Sequence, residues 1–363
     1  MKSFMERRIS DLMTLESYSK QGSSEGNHYQ GRLLKLDSNE NFQIEESFMK
    51  LVMEIAISET DPRVYVSWES SKLLERLSDY LGVDKGKIIL GSGADGLIEL
   101  VTKSIMTQND CALIIKPTFS MYRSLLCMNR RNFTEVSLGD NFSLDIGQII
   151  AATKGTDEVV FLCSPCNPTG NQFKRRDIIT LLQLTEGLVV LDEAYAEFAS
   201  ETLVDLVEEY NNLFVLRTFS KAFGLAGLRL GYAVTNEELA RTLRKQVFLP
   251  YPISSLTLSI ASELLKRIEY VKNSIILVKE TRKKLSKELD AIPGVKVYPS
   301  EANFILLEIS QSSKDVADKL LKLGIKVRII DWIEDNANYI RVTIPPVTDY
   351  ARVVESMKEV LRI

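Results

Sequence analysis

Leu213-Phe-Val-Leu-Arg-Thr218 runs into Phe219-Ser220-Lys221 and on through Ala222-Phe-Gly-Leu-Ala-Gly-Leu-Arg229-Leu-Gly231, and the rest of the chain is read outward from this stretch. An apolar run of strand length stops at small hydroxyl residues. A lysine follows inside a glycine-rich segment, with an arginine eight positions further on. Lysine is seldom set among apolar residues, because its charge is costly to bury. An amine in such surroundings gives up its proton more readily, which suits Schiff-base chemistry. Arg229 and the hydroxyls of Thr218 and Ser220 offer donors for a phosphate beside it. A carbonyl-reactive amine next to a phosphate site suggests pyridoxal phosphate.

Upstream, Glu158–Cys163 and Leu188–Leu191 are also continuous apolar runs, separated by amphipathic patterns over 175–184 and 203–210. Such an alternation predicts a mostly parallel sheet covered by helices on both faces. Chemistry in these sheets gathers at the C-terminal strand ends. There the sequence puts Asn167, in Ser164-Pro-Cys-Asn167-Pro-Thr-Gly170; Asp192 and Tyr195, in Leu191-Asp-Glu-Ala-Tyr195; and Lys221. Earlier still, a short strand, Lys87–Leu90, meets Gly91-Ser-Gly93-Ala94-Asp95-Gly96 and a helical pattern over 97–105. Backbone N–H groups at such a helix start can bind phosphate. The spacing is formally G-x-G-x-x-G, but a dinucleotide site wants an acidic residue at the end of the next strand, and Cys111–Ile115 ends in Lys116-Pro117. A monophosphate is the favoured reading, with a purely structural tight turn the other.

Residues 1–35 are polar and aperiodic and are expected to form an N-terminal arm. Helical spacing returns over 48–57 and over 73–81, which ends at Gly82; the loop between carries Tyr65 and Trp68. From about 236 the pattern shifts to long helices (237–248 and 254–289). Short strands (295–298, 303–309, 326–328, 339–344) follow, with helices over 314–323 and 348–361. The expectation is an α/β large domain over 36–248, with 36–46 packing towards a smaller α+β domain over 249–363.

Forty-five basic against 49 acidic residues, a net charge of -4, give no reason to expect nucleic acid or an anionic membrane as partner. No apolar run approaches the ~20 residues that span a bilayer. The N-terminus lacks a signal-peptide apolar core, so a cytoplasmic location is expected. Four cysteines at this length do not suggest a disulfide framework. Cys163-Ser-Pro-Cys166 has C-x-x-C spacing, but with no second pair and one histidine, His28, no metal is expected, and a metal or redox role is the minor reading. The single histidine also sets aside most His-based catalysis.

For pyridoxal phosphate, Asp192 suits the ring nitrogen, which it would keep protonated so that the ring draws electrons from the substrate carbanion. Asn167 and Tyr195 suit the ring oxygen, and Phe119 offers a face to stack on. Lys221 would serve as general acid and base for the proton shift.

Asn167-Pro-Thr-Gly, Asp192 with Tyr195, Ser220-Lys221 and Arg229 resemble the fold-type I pyridoxal-phosphate aminotransferases. Within them the nearer resemblance is to the histidinol-phosphate aminotransferase family. It rests on Leu36-Asp-Ser-Asn39-Glu-Asn41, Gly91-Ser-Gly-Ala-Asp95, Pro117-Thr-Phe-Ser-Met-Tyr122, Thr218–Arg229, Gly324-Ile-Lys-Val-Arg328 and Ile340-Arg341-Val-Thr, in that order from about Leu15 to the C-terminus. The resemblance implies a homodimer with shared active sites, in which Tyr65 reaches the cofactor phosphate of the partner subunit. It implies cofactor contacts from Gly93, Ala94, Asp95, Thr218 or Ser220, and substrate contacts from Tyr18, Asn39, Asn167, Arg328 and Arg341. Arginine forks suit both the phosphate of histidinol phosphate and the carboxylate of glutamate.

Three positions depart from the family pattern. Gly96 stands where Glu is usual, Val66 follows Tyr65 where Pro is usual, and Pro345-Pro346 follow Ile344 where Gly and a small residue are usual. Prolines there fix the backbone and remove N–H donors beside the expected anion site. The alternatives on the same scaffold are an aromatic amino-acid aminotransferase and a threonine-phosphate decarboxylase, which differ in how the substrate is placed against the ring. A cofactor-sensing regulator would need an additional DNA-binding module, for which this chain has no spare length.

Overall fold

The computed structural model describes residues 3–15, 32–66, 68–153, 158–247, 251–333 and 338–361. Its strands are β1 (Leu34–Leu36), β2 (Ile88–Gly91), β3 (Cys111–Lys116), β4 (Asn132–Ser137), β5 (Glu158–Cys163) and β6 (Leu188–Asp192). They continue with β7 (Leu213–Thr218), β8 (Gly231–Thr235), β9 (Val295–Val297), β10 (Phe304–Ile309), β11 (Ile325–Ile330) and β12 (Tyr339–Thr343).

One sheet has the order β2-β8-β7-β6-β5-β3-β4. Neighbours from β7 to β4 run parallel, as the continuous apolar runs predict, while β8 is antiparallel to both β7 and β2. Every residue of β7 is buried, which explains why it shows no alternation. An antiparallel partner needs no crossover helix, so the glycine-rich segment after β7 leads directly into β8 and holds Lys221 at the edge where the parallel strands end.

The second sheet has the order β1-β11-β12-β10-β9. β1 lies parallel to β11, with Leu34 opposite Ile325, and the other pairs are antiparallel. β1, at the border between the expected arm and the segment from residue 36, thus joins the sheet built from the C-terminal strands.

Several elements differ from expectation. The pattern over 254–289 is two helices, Ser255–Lys266 and Ile268–Asp290, meeting at Arg267. The first of them packs against helices Glu46–Ser58 and Glu69–Leu81. Residues 203–210 contain only a 3-10 segment, Val204–Glu208, because so short a run gains little against the cost of helix nucleation. β4 escapes the pattern because it is an edge strand with one buried residue, Val136. The expected arm contains a helix, Phe4–Met13, capped by reciprocal bonds between Ser3 and Glu6, and none of its residues is buried. Phe4, Met5, Ile9, Leu12 and Met13 are therefore solvent-facing apolar side chains.

Candidate active site

Helix Gly93–Leu100 starts directly after β2, and its N-cap, Ser92, makes no side-chain capping bond, so the first N–H groups have no side-chain acceptor. Gly231 at the head of β8 explains how the strand passes this close: a Cβ there would lie 2.7 Å from Gly93 C and 2.8 Å from Ala94 N. Gly93 has φ +78°, and a Cβ on it would meet the Arg229 guanidinium at 2.9 Å. Arg229, itself left-handed at φ 51°, is held by the Asp95 carboxylate at 2.7 Å. The two glycines thus bring a guanidinium and an uncapped helix N-terminus to one point, which suits a phosphate.

Ala94 and Asp95 line a cavity of about 230 Å3, as do Thr218, Ser220 and Arg229. Across from this group, Asp192 at the end of β6 is buried. It accepts from the Tyr122 hydroxyl at 2.6 Å and from the Ala194 N–H at 3.0 Å. Burial pushes its pKa up to about 6 despite those two bonds. Among the described residues no cation is bonded to it, and a carboxylate so placed, facing a cavity, is complementary to a protonated ring nitrogen. Phe119 forms part of the same wall.

Lys221 Nζ donates to the Ser38 carbonyl at 2.9 Å and sits 5.7 Å from the centre of the Tyr195 ring. Burial, and then the charge of Arg341, lower its pKa to about 8. Tyr195 accepts from Asn39 Nδ2 at 2.9 Å, and burial raises its own pKa. Arg341, on β12, donates to Asn167 Oδ1 at 2.5 Å and to the Asp37 carbonyl at 2.7 Å. The chain therefore crosses between the two sheets at this cavity, with Asn39 also tied to Thr343 and Asn303. Arg328, the last of the expected residues on this side, lines the cavity from β11. A larger cavity of about 810 Å3 adjoins it and shares Phe119, Arg328 and Trp332.

Thirteen of the expected site residues thus line one cavity: Asn39, Ala94, Asp95, Phe119, Asn167, Asp192, Tyr195, Thr218, Ser220, Lys221, Arg229, Arg328 and Arg341. Gly93 lies behind it as a spacer for Arg229. Tyr65 is elsewhere, 76% exposed and stacked on Tyr251 with ring centres 4.8 Å apart. Tyr18 lies outside the described residues. Pro345 and Pro346 do not intrude: Gln43 Nε2 donates to the Pro345 carbonyl, and the Arg341 fork is directed to Asn167 and Asp37.

Sequence reasoning missed Tyr122 as the partner of Asp192, although it stands in the same motif as Phe119. It also missed the carbonyls of Asp37 and Ser38, which carry no side-chain signal, and Trp332. A buried ion-pair group beside the site was likewise unforeseen: Arg217, next to Thr218 in β7, pairs with Glu193, next to Asp192, at 3.2 Å and with Glu197 at 3.6 Å. A charged residue in the apolar run of β7 was the available clue.

Residues 32–357 match the family model described as aminotransferase class I and II. The chain is 39% identical to a histidinol-phosphate aminotransferase from Thermoanaerobacter sp. (strain X514), over 90% of this chain and 93% of that one. Among solved structures it resembles the histidinol-phosphate aminotransferase from Clostridium acetobutylicum, with a TM-score of 0.82, 26% identity and coverage of 90% and 99% of the two chains. It shares its fold with the Sinorhizobium meliloti enzyme of the same name, solved in complex with pyridoxal-5'-phosphate (TM-score 0.81, 22% identity, 91% of each chain).

Proposed function

Because the chain belongs to the aminotransferase class I and II family, we propose that it interconverts L-histidinol phosphate and 2-oxoglutarate with imidazole-acetol phosphate and L-glutamate. It is a pyridoxal-phosphate-dependent transaminase, and its place is histidine biosynthesis. The observation that carries the reading is one cavity holding an amine of lowered pKa, a carboxylate of raised pKa and two arginines, Arg328 and Arg341.

Pyridoxal phosphate, when bound, draws electron density from the carbon that carries the migrating amino group. The chain's residues would divide the remaining work. The N-terminus of helix Gly93–Leu100, Arg229, Ser220 and Thr218 hold the phosphate, with Asp95 fixing the guanidinium. Asp192 holds a proton on the ring nitrogen, Phe119 packs on the ring, and Asn167 and the Tyr195 hydroxyl face the ring oxygen. Lys221 Nζ anchors the cofactor and then carries the proton between the two carbons that exchange it. Arg341, oriented by Asn167, takes the substrate carboxylate in the glutamate half-reaction, and Arg328 the phosphate in the other. Asn39 supports Tyr195, and Tyr18 contributes to the substrate pocket.

The same reading makes the enzyme a cytoplasmic homodimer in which Tyr65 serves the partner's site, and divides it into an arm (1–35), a large unit (36–248) and a small one (249–363). Tyr65 lies outside its own chain's cavity, as a residue serving the partner's site would. The apolar side chains of helix Phe4–Met13 and of Val64, Trp68 and Tyr251 are the kind of surface a second subunit covers. No helix among the described residues is long and apolar enough to cross a membrane.

The test is a set of half-reactions. Cofactor-loaded protein is mixed separately with histidinol phosphate, glutamate, phenylalanine and threonine phosphate, following cofactor absorbance and released carbon dioxide. Rapid conversion by the first two, with phenylalanine much slower, is expected. Phenylalanine as the best donor would move the assignment to aromatic substrates. Carbon dioxide from threonine phosphate would change the reaction class.

A further inference from the structure

We propose that Cys163 and Cys166 are a peroxide-sensitive pair whose oxidation closes the cofactor site, and that the cofactor itself protects them. The proposal rests on the cofactor reading above. Cys163 ends β5, opposite Asp192 in register, and lines the cavity wall. Cys166 follows three residues later and is buried, as is Cys163; both are free thiols. Two residues between cysteines is the spacing at which redox-active pairs close a disulfide.

The surroundings fix the pair in place. Cys163 Sγ donates to the Pro165 carbonyl and Cys166 Sγ to the Pro117 carbonyl, each at 3.3 Å. The Cys166 backbone is held on both sides, its N–H by Asn171 O at 2.8 Å and its carbonyl by Gly170 N at 2.7 Å. The two thiols are not equivalent. Cys166, together with burial and nearby Asp192, raises the pKa of Cys163; Cys163, with Thr169 and Thr118, lowers that of Cys166. Cys166 is thus the sulfur that ionises more readily, and the one suited to attack an oxidised Cys163. Transamination uses neither thiol.

Cys163 is the member that borders the cavity, so a small peroxide reaches the pair through the space the cofactor fills. With hydrogen peroxide, Cys163 sulfur attacks one peroxide oxygen, an S–O bond forms, the O–O bond breaks, and the departing hydroxide leaves as water with the Cys163 proton. Cys166 sulfur then attacks Cys163 sulfur; the S–S bond forms, the S–O bond breaks, and the second hydroxide departs with the Cys166 proton as water. The two sulfurs give up two electrons in total and the peroxide accepts them. Drawing Cys166 onto Cys163 moves the next residue, Asn167, off Arg341, and narrows the wall opposite Asp192.

The experiment compares cofactor-loaded protein with protein stripped of cofactor, each exposed to hydrogen peroxide and quenched with catalase. Thiols are then alkylated, the peptide containing both cysteines is weighed, and uptake of pyridoxal phosphate is read from absorbance before and after a thiol reductant. Expected is an intramolecular disulfide in stripped protein alone, lost uptake, and recovery on reduction. A Cys166→Ser variant that takes up cofactor before treatment should still do so afterwards. Partly exposed Cys111 and Cys127 act as internal thiol controls. Both cysteines fully alkylated in the stripped sample, equal oxidation with cofactor bound, or equal loss of uptake in Cys166→Ser would each overturn the proposal. Untreated wild-type protein that takes up no cofactor would overturn the cofactor reading beneath it as well.

Discussion

The Tyr122 hydroxyl donates to Asp192 Oδ2 at 2.6 Å, and this bond works against the burial that raises the carboxyl pKa to about 6. Without the bond the carboxylate is harder to keep ionised. Tyr122→Phe should move the acid limb of the pH–rate profile to higher pH and lower the rate near neutrality by roughly 10- to 100-fold, the worth of a hydrogen bond to a charged group. Half-reaction rates measured across that limb decide it; an unmoved limb would remove Tyr122 from the site's electrostatics.

Asp192 also bears on the stability of cofactor-free protein. Its folded pKa, about 6, lies above the ordinary 3.8. The favourable contribution is therefore complete below the ordinary value and lost as pH rises through the folded one. At pH 7 the buried carboxylate costs up to about 3 kcal/mol. Asp192→Asn should raise the melting temperature of stripped protein at pH 7 and have little effect near pH 4, while activity falls by about 10²- to 10⁴-fold. A stripped variant no more stable than wild type at pH 7 would contradict the assignment.

For Lys221 the charged form is the one disfavoured, so the reactive free amine grows as pH rises through about 8. The rate of covalent cofactor attachment should climb towards that pH and level off above it. Arg341 contributes to the depression, and Arg341→Gln should shift the midpoint upward. Stopped-flow absorbance reads both; a midpoint that falls or stays in place would separate Arg341 from the amine.

Arg328 and Arg341 approach the cavity from neighbouring, paired strands, opposite each other in register. They should nevertheless divide the two substrates between them. Arg328→Ala is expected to weaken histidinol phosphate by about 1.5–3 kcal/mol and glutamate by much less. Separate half-reaction constants test this, and equal losses would mean that it anchors a group common to both.

If Tyr65 serves the partner's site, Lys221→Ala and Tyr65→Ala proteins, each inactive alone, should complement each other after mixed unfolding and refolding. Random pairing gives one intact site in half of the dimers, hence about a quarter of wild-type activity. No recovery in mixed dimers verified by mass would exclude a shared site.

The sheet was legible because β5, β6 and β7 are buried on both faces and so appear as continuous apolar runs, interrupted only by Arg217 in β7. The cavity was legible because its side chains close those runs. Tyr122 was not, since a tyrosine beside Phe119 looks the same in sequence whether it fills core or donates a bond. The carbonyls of Asp37 and Ser38 have no residue signature at all. Their roles come from Asn39, buried with φ 57° and fixed by Thr343 and Asn303, residues more than 260 positions away. Distances of that kind are set by tertiary folding alone.

The parallel pairing of β1 with β11 sets an order of events at the ribosome. By the time β8 has emerged, every strand of the larger sheet is available, yet Leu34–Leu36 still lacks the strand it pairs with, which lies some 290 residues downstream. The N-terminal end must wait through most of translation with an open edge, and the Ser38 carbonyl that receives Lys221 waits with it. A nascent chain stalled before Ile325 should thus carry a largely assembled parallel sheet beside an unfinished cofactor pocket.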